Sequence, residues 1–194
     1  MKTSQLVSRY LLKMDELNAA LLRVLLAASI ITPEEAVEAV SEFLIDAYIE
    51  GFAGVGYLLG DDSDRLRLSQ MDTAMRKKID GKTFRERVFD YAVDGDTAGI
   101  LLVANTDGHR VFNAGASDRA TMFAAQAGVK LSKTWVTVMD DKVRETHSYL
   151  QGESVPFESM FFTFDGDFGN YPGDFNRVEN NANCRCILSY SFRK

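Results

Sequence analysis

Up to Gly128 the apolar residues of this chain recur every three or four positions, and beyond it they alternate every two. A fold that satisfies both patterns puts helices first and a small sheet after them. Leu11, Leu12, Met14, Leu17, Leu21, Leu22, Leu25 and Leu26 lay an apolar stripe along one face of a helix from about Ser4 to Ser29. Thr32-Pro33-Glu34-Glu35 then begins a second helix: threonine and glutamate three positions apart cap exposed backbone donors reciprocally, and proline suits the first helical position. That helix should reach about Leu59, and the short link makes the pair an antiparallel hairpin.

Gly51, Gly54 and Gly56 fall near the end of the second helix. Their order does not fit a dinucleotide fingerprint, so close helix packing is expected. Gly60-Asp61-Asp62-Ser63-Asp64 is a break that N-caps a helix from Arg65 to Ile79; it lacks the spacing and final glutamate of a calcium loop. After further breaks at Asp80-Gly81-Lys82 and Val93-Asp94-Gly95-Asp96, a long helix runs from Thr97 to Ala127, with a kink expected near Gly108 and Gly128 at its C-cap. Lys133 to Met139 and Cys184 to Phe192 carry the β-branched and aromatic content of strands. In the second, Cys184, Cys186, Leu188, Tyr190 and Phe192 share one face and Arg185 lies on the other. The expected class is α+β: an N-terminal helical hairpin and helices, followed by a small antiparallel β-sheet module. The division drawn is residues 1–80 for a helical N-terminal region and 81–194 for the module.

With 46% apolar residues, 194 positions suffice for a sizeable core. The net charge of −6 argues against a dedicated DNA-wrapping protein. Arg76, Lys77, Lys78, Lys82, Arg85 and Arg87 are the one basic cluster; contact with packaged DNA is weighed against a solvated helix face, which is favoured because no aromatics interleave to stack on bases. The most apolar run, Leu17 to Ile31, is interrupted by Arg23 and too short to span a membrane, and Met1-Lys2-Thr3-Ser4-Gln5 leads into an amphipathic pattern rather than a signal segment. Two cysteines one residue apart form no disulfide framework and suit a reducing compartment.

The chemically distinctive residues gather late: Lys133-x-Trp135, Asp140-x-Lys142-Val143-Arg144-x-x-His147, Gly152, Phe161-Phe162, Pro172-Gly173-Asp174 and Asn183-Cys184-Arg185-Cys186. In order and spacing they resemble the head morphogenesis family named after protein F of phage Mu, minor head proteins associated with the portal. Ala104-Asn105-Thr106-Asp107 resembles the family's Ala-Arg-Thr-Glu element, departing from it at Asn105 and Asp107. The likeness covers roughly residues 97 to 192. It implies a noncatalytic minor head protein of the virion head or portal vertex, present in the host cytoplasm during assembly. The implied partners are portal and capsid proteins and a second copy of the chain. Trp135, Asp140, Arg144, His147, Gly152, Pro172, Asn183 and Arg185 become motif residues with structural roles.

The residue types leave two chemical readings open. Cys184, Cys186 and His147 are three zinc-type ligands, with Asp140 or His109 for the fourth position. Alternatively both cysteines are small core residues and His147 bonds Asp140 or backbone. A rival enzyme reading takes Asp140, Arg144 and His147, spaced i, i+4, i+7, as an acid, a cation and an imidazole of a metal-independent nuclease or toxin-like site. Against it, Arg144 is expected to anchor Asp140 or loop carbonyls. Trp135, Phe161, Phe162, Phe164, Phe168, Tyr171 and Phe175 are expected as core and loop cover rather than a binding surface.

Overall fold

The computed structural model describes residues 3–27, 31–60 and 68–193. Its elements are α1 (Thr3–Ala27), α2 (Pro33–Leu59), α3 (Leu68–Met75), α4 (Phe84–Val93), α5 (Thr97–Ala127), β1 (Leu131–Val136), α6 (Glu145–Leu150), β2 (Ser154–Pro156), β3 (Phe161–Phe162), β4 (Phe168–Gly169), α7 (Val178–Asn181) and β5 (Ile187–Phe192). Helices come first and a small antiparallel sheet follows, so the α+β expectation holds. The end of the first helix near Ser29 and the break at Asp61 to Asp64 lie outside the described residues.

Thr32 caps α2 as expected. Its hydroxyl accepts from the Glu35 amide, and the Glu35 carboxylate accepts from the Thr32 amide at 2.8 Å. The same device, Thr83 with Glu86, starts α4 and was not drawn from the sequence. Helix α3 stops short of the expected Ile79. That residue bridges back to Lys82 around Asp80 and Gly81, whose φ values of 51° and 76° no helix allows. Helix α5 runs unbroken through Gly108 and ends at Gly128, φ 64°.

Side-chain size governs how α5 seats on α2. A Cβ on Gly51 would lie 2.0 Å from the Phe112 carbonyl oxygen, and one on Gly115 would lie 2.3 Å from that of Tyr48. The two backbones therefore touch. Gly108 sits under the Phe43 ring in the same way. Gly54 has no such neighbour, so the close-packing expectation holds for Gly51 and not for the whole glycine series. Around this contact one apolar cluster joins Tyr10, Met14 and Leu21 of α1, Phe43, Leu44 and Tyr48 of α2, Val88 of α4 and Val103 and Val111 of α5, and it extends to Val136 and Ile187 of the sheet.

β1 is central in the order β2-β1-β5 and pairs antiparallel with both neighbours. Both expected strands overrun on the loop side, and β1 begins two residues before the expected Lys133, at Leu131. β1 ends at Val136: the Thr137 amide donates to the Gln151 side chain, and Met139 adopts φ 58°, which turns the chain out of the sheet. β5 begins only at Ile187, because Asn183 takes a left-handed φ of 52° and the Cys184 amide donates to the Asn181 carbonyl. Cys184 and Cys186 nevertheless point with Leu188 into a second cluster, with Trp135, Leu150, Phe161 and Phe175.

The basic cluster is not one solvated helix face. It runs from just past α3 through a turn into α4. Four of its cations hold carboxylates: Arg76 with Asp72, Lys77 with Asp174, Lys82 with Asp90, and Arg87 with Asp107.

Candidate functional site: an inward-facing His-Cys-Cys cluster

Trp135, fully buried, is the floor on which the site is built. Its ring meets His147 edge-on at 5.3 Å between centroids and Phe161 at 5.2 Å, with Phe175 at 5.5 Å. Lys133, two positions earlier on β1, is also buried. Its ammonium donates to the Asn170 carbonyl at 2.8 Å and lies over the rings of Phe157 and Phe161. Burial pushes its pKa down to about 8, with Asp174 acting in the opposite direction. The protonated form is thus the costly one inside, with the full cost present below pH 8. Stability relative to Lys133→Met should rise between pH 8 and about 10.5, by roughly 3 kcal/mol from a shift of this size. Denaturant unfolding of both proteins across that range measures it; parallel curves would show that the ammonium loses nothing on burial.

Gly152 closes the turn after α6 in a left-handed conformation, φ 79°, and its amide donates to the Trp135 carbonyl at 2.9 Å. Pro172-Gly173 is a buried turn laid on α5. Gly173 has φ 88°, and a Cβ there would lie 2.8 Å from the Arg110 Cα. Asp174 then reaches Lys77. Both glycines adopt positive φ, where a side chain would be strained.

His147 is carried inward on α6. Its Nδ1 lies 3.5 Å from the Cys184 Sγ and 3.4 Å from the Cys186 Sγ, and all three side chains are buried. The expected convergence is therefore present, and the cluster could hold a metal ion. Neither expected fourth ligand completes it. Asp140 is drawn away into a two-pronged pair with Arg185 at 2.7 and 2.8 Å, which holds its carboxyl below the usual range. His109 has Tyr10 on one ring nitrogen at 2.6 Å and Asn113 on the other at 3.2 Å. The two thiols are pushed in opposite directions. Burial opposes ionisation of both, but the hydrogen bond from Cys186 and the two facing imidazoles bring Cys184 well below a normal thiol, while Cys186 is raised.

The Asp140/Arg144/His147 grouping does not assemble. Only His147 lies within α6; Asp140 belongs to the loop before it, and Arg144 is the N-cap residue. Arg144 donates to the carbonyls of Asn180, at 3.1 Å, and Ala182, so it anchors loop carbonyls and does not pair with Asp140. His147 bonds neither Asp140 nor backbone through its ring, but faces the two thiols. Arg144→Ala should therefore cost about 1.5 to 3 kcal/mol, as charge-assisted bonds do. Asp140→Ala removes a pair left about a third exposed and should cost clearly less. Melting curves of the two variants check the order, and equal losses would contradict it.

The aromatic residues divide. Trp135, Phe161 and Phe175 are core, whereas Phe162, Phe164 and Phe168 are 59%, 56% and 42% exposed, against the expectation of loop cover. The two-residue strands β3 and β4 are too short to hide both faces of their hairpin, so alternate rings point outward.

Two groups escaped the sequence reading. Asp167, taken only as a turn residue, is buried and accepts from the amides of Phe168, Asn176 and Arg177 and from the Asn180 side chain. Asp107 of the Ala-Asn-Thr-Asp element is fully buried and holds both Arg87 and Arg110 at 2.7 Å. An acid in a Gly-containing turn and an acid in the Ala104-Asn105-Thr106-Asp107 element of a helix were the available signals.

A helical body bearing a small sheet, with its motif side chains turned inward, is a module held together by its own polar residues. The chain belongs to the phage Mu protein F-like family, whose model matches residues 69–189. Over 93 residues it is 34% identical to minor head protein GP7 of Bacillus phage SPP1, covering 48% of this chain and 30% of that protein. Over 125 residues it is 24% identical to NAD(+)--arginine ADP-ribosyltransferase EFV of Enterococcus faecalis, covering 63% of this chain and 25% of that protein. The chain thus spans less than a third of either relative. No solved structure matches it.

Proposed function

We propose that this chain is a phage minor head protein, acting without catalysis at the portal vertex during head assembly, genome packaging or delivery. The observation that carries the reading is the direction of its polar chemistry. His147 is 1% exposed, Arg144 grips carbonyls and Asp140 holds Arg185, so the motif groups are occupied in keeping the module rigid. The outward surface is apolar where it should be polar. Leu12, Leu22 and Leu26 recur on one side of α1, and Phe162, Phe164 and Phe168 project from the β3–β4 hairpin. Such patches suit docking onto another protein. Membership of the family and the likeness to a minor head protein agree with this. No described helix is long and apolar enough to cross a membrane. The Arg76 to Arg87 segment, largely engaged with carboxylates, is assigned to the fold before any contact with DNA.

We propose further that the His-Cys-Cys cluster takes zinc, which would tie α6 to the segment leading into β5. A tetrahedral ion at ordinary bond lengths sets nitrogen and sulfur about 3.6 Å apart, close to the spacing observed.

Co-expression of the tagged chain with the portal protein of the same phage tests the function. The two should co-elute, and Phe164→Ser with Phe168→Ser should weaken the complex while leaving the melting temperature unchanged. Absence of co-elution, or nucleic-acid cleavage lost in His147→Ala, would favour the enzyme reading.

A further inference from the structure

The three ligand side chains do not share a sealed chamber. On one side Trp135 and Phe175 stack around His147, and Leu150 and Phe161 complete a wall with no ligand atom to offer. On the other, His147, Cys184 and Cys186 all line a crevice whose remaining walls are Val138, Lys142, Val143, Arg144, Asn183 and Arg185. The free space there is about 10 Å³. One water occupies about 10 to 15 Å³ measured this way, so the crevice admits a single water-sized group and no side chain.

We infer that zinc bound by His147, Cys184 and Cys186 keeps its fourth position for an exogenous, water-sized ligand that enters by this crevice. The inference rests on the zinc reading above. Among the described residues no fourth His, Cys, Asp or Glu joins the cluster. Asp140 is held by Arg185, and His109, which also faces Cys184, has both ring nitrogens taken by Tyr10 and Asn113. Purely structural zinc sites close with four protein ligands, whereas three ligands and an open position leave the ion able to exchange small molecules. The crevice walls favour an anion in that place. Two thiolates and an imidazole leave a bound zinc formally neutral, and Lys142, Arg144 and Arg185 line the crevice, Arg185 with its charge offset by Asp140.

The test uses the full chain loaded with cobalt(II) in place of zinc. One cobalt per chain should bind, with thiolate charge-transfer absorption, and added fluoride, an anion of water's size, should shift the visible ligand-field bands saturably. His109→Gln and Asp140→Asn should retain both the stoichiometry and the fluoride response. Failure of the wild-type chain to bind either metal would overturn the zinc reading and this inference with it. Cobalt bound with bands indifferent to fluoride would overturn the open position alone, leaving zinc in place. So would loss of a ligand-field component in His109→Gln, which would identify His109 as the fourth ligand; the fluoride titration of the wild-type chain decides the matter even if that variant misfolds.

Discussion

Gly51→Ala should lower the melting temperature by about 6 °C or more, while Gly54→Ala, three positions along the same helix, should leave it unchanged or raise it by about 2 to 4 °C. Alanine is favoured over glycine within a helix by about 1 kcal/mol, so propensity alone predicts a gain at both sites. Packing reverses the sign at Gly51. The added Cβ would sit 2.0 Å from the Phe112 carbonyl oxygen, and a backbone atom inside a packed helix cannot swing aside as a side chain can. Helices α2 and α5 must separate along the contact that organises the main core, at the 1 to 3 kcal/mol or more typical of overpacking. In a domain of this size about 1 kcal/mol moves the midpoint by 2 to 4 °C. At Gly54 nothing lies within 4 Å, so only the propensity term remains. Thermal unfolding of the two variants beside the parent is sufficient. A Gly51→Ala protein as stable as Gly54→Ala would mean that α2 and α5 do not meet backbone to backbone.

Asp107→Ala should be the most damaging single change to a polar side chain, at about 3 to 5 kcal/mol. The carboxylate is completely buried and receives Arg110, itself 1% exposed, and Arg87, 16% exposed on its side chain. Removing it strands the two guanidiniums, one of them with no access to water. Loss of one member of a buried ion pair is dominated by this uncompensated charge. Asp107→Asn, whose amide oxygen can still accept from one arginine, should lose less. Chemical denaturation gives both numbers, and a loss below about 1 kcal/mol for Asp107→Ala would show that the network is solvated.

How much of this was readable in the sequence depends on how far each signal reaches. The Thr32-Pro33-Glu35 start of α2 and the Gly128 end of α5 are fixed by neighbours within a turn or so, and both stand where the residues indicate. Thr83 and Glu86 carry the same local signal, hidden among the surrounding charges. The cluster of His147, Cys184 and Cys186 was legible from residue type, since few arrangements bring such groups together by accident. Charge partnerships were not. Asp140 met Arg185 across the module rather than Arg144 beside it in sequence, and Lys77 found Asp174 on a loop laid over α5. Both depend on tertiary placement, which spacing along one element does not encode. Strand ends were not legible either: Met139 and Asn183 adopt positive φ, which breaks the extended run on the loop side of each strand.

The central claim is that the chain works as a structural part of a phage head. Purified heads from phage-producing cells, stripped of unassembled protein by density centrifugation and analysed for this chain by quantitative mass spectrometry, test it most directly. The account predicts a fixed number of copies per head, retained in wild type and lost when the exposed Phe164 and Phe168 are both replaced by serine in a chain that still folds. Heads complete and infectious without the chain, with all of it recovered free in the soluble fraction, would contradict the claim.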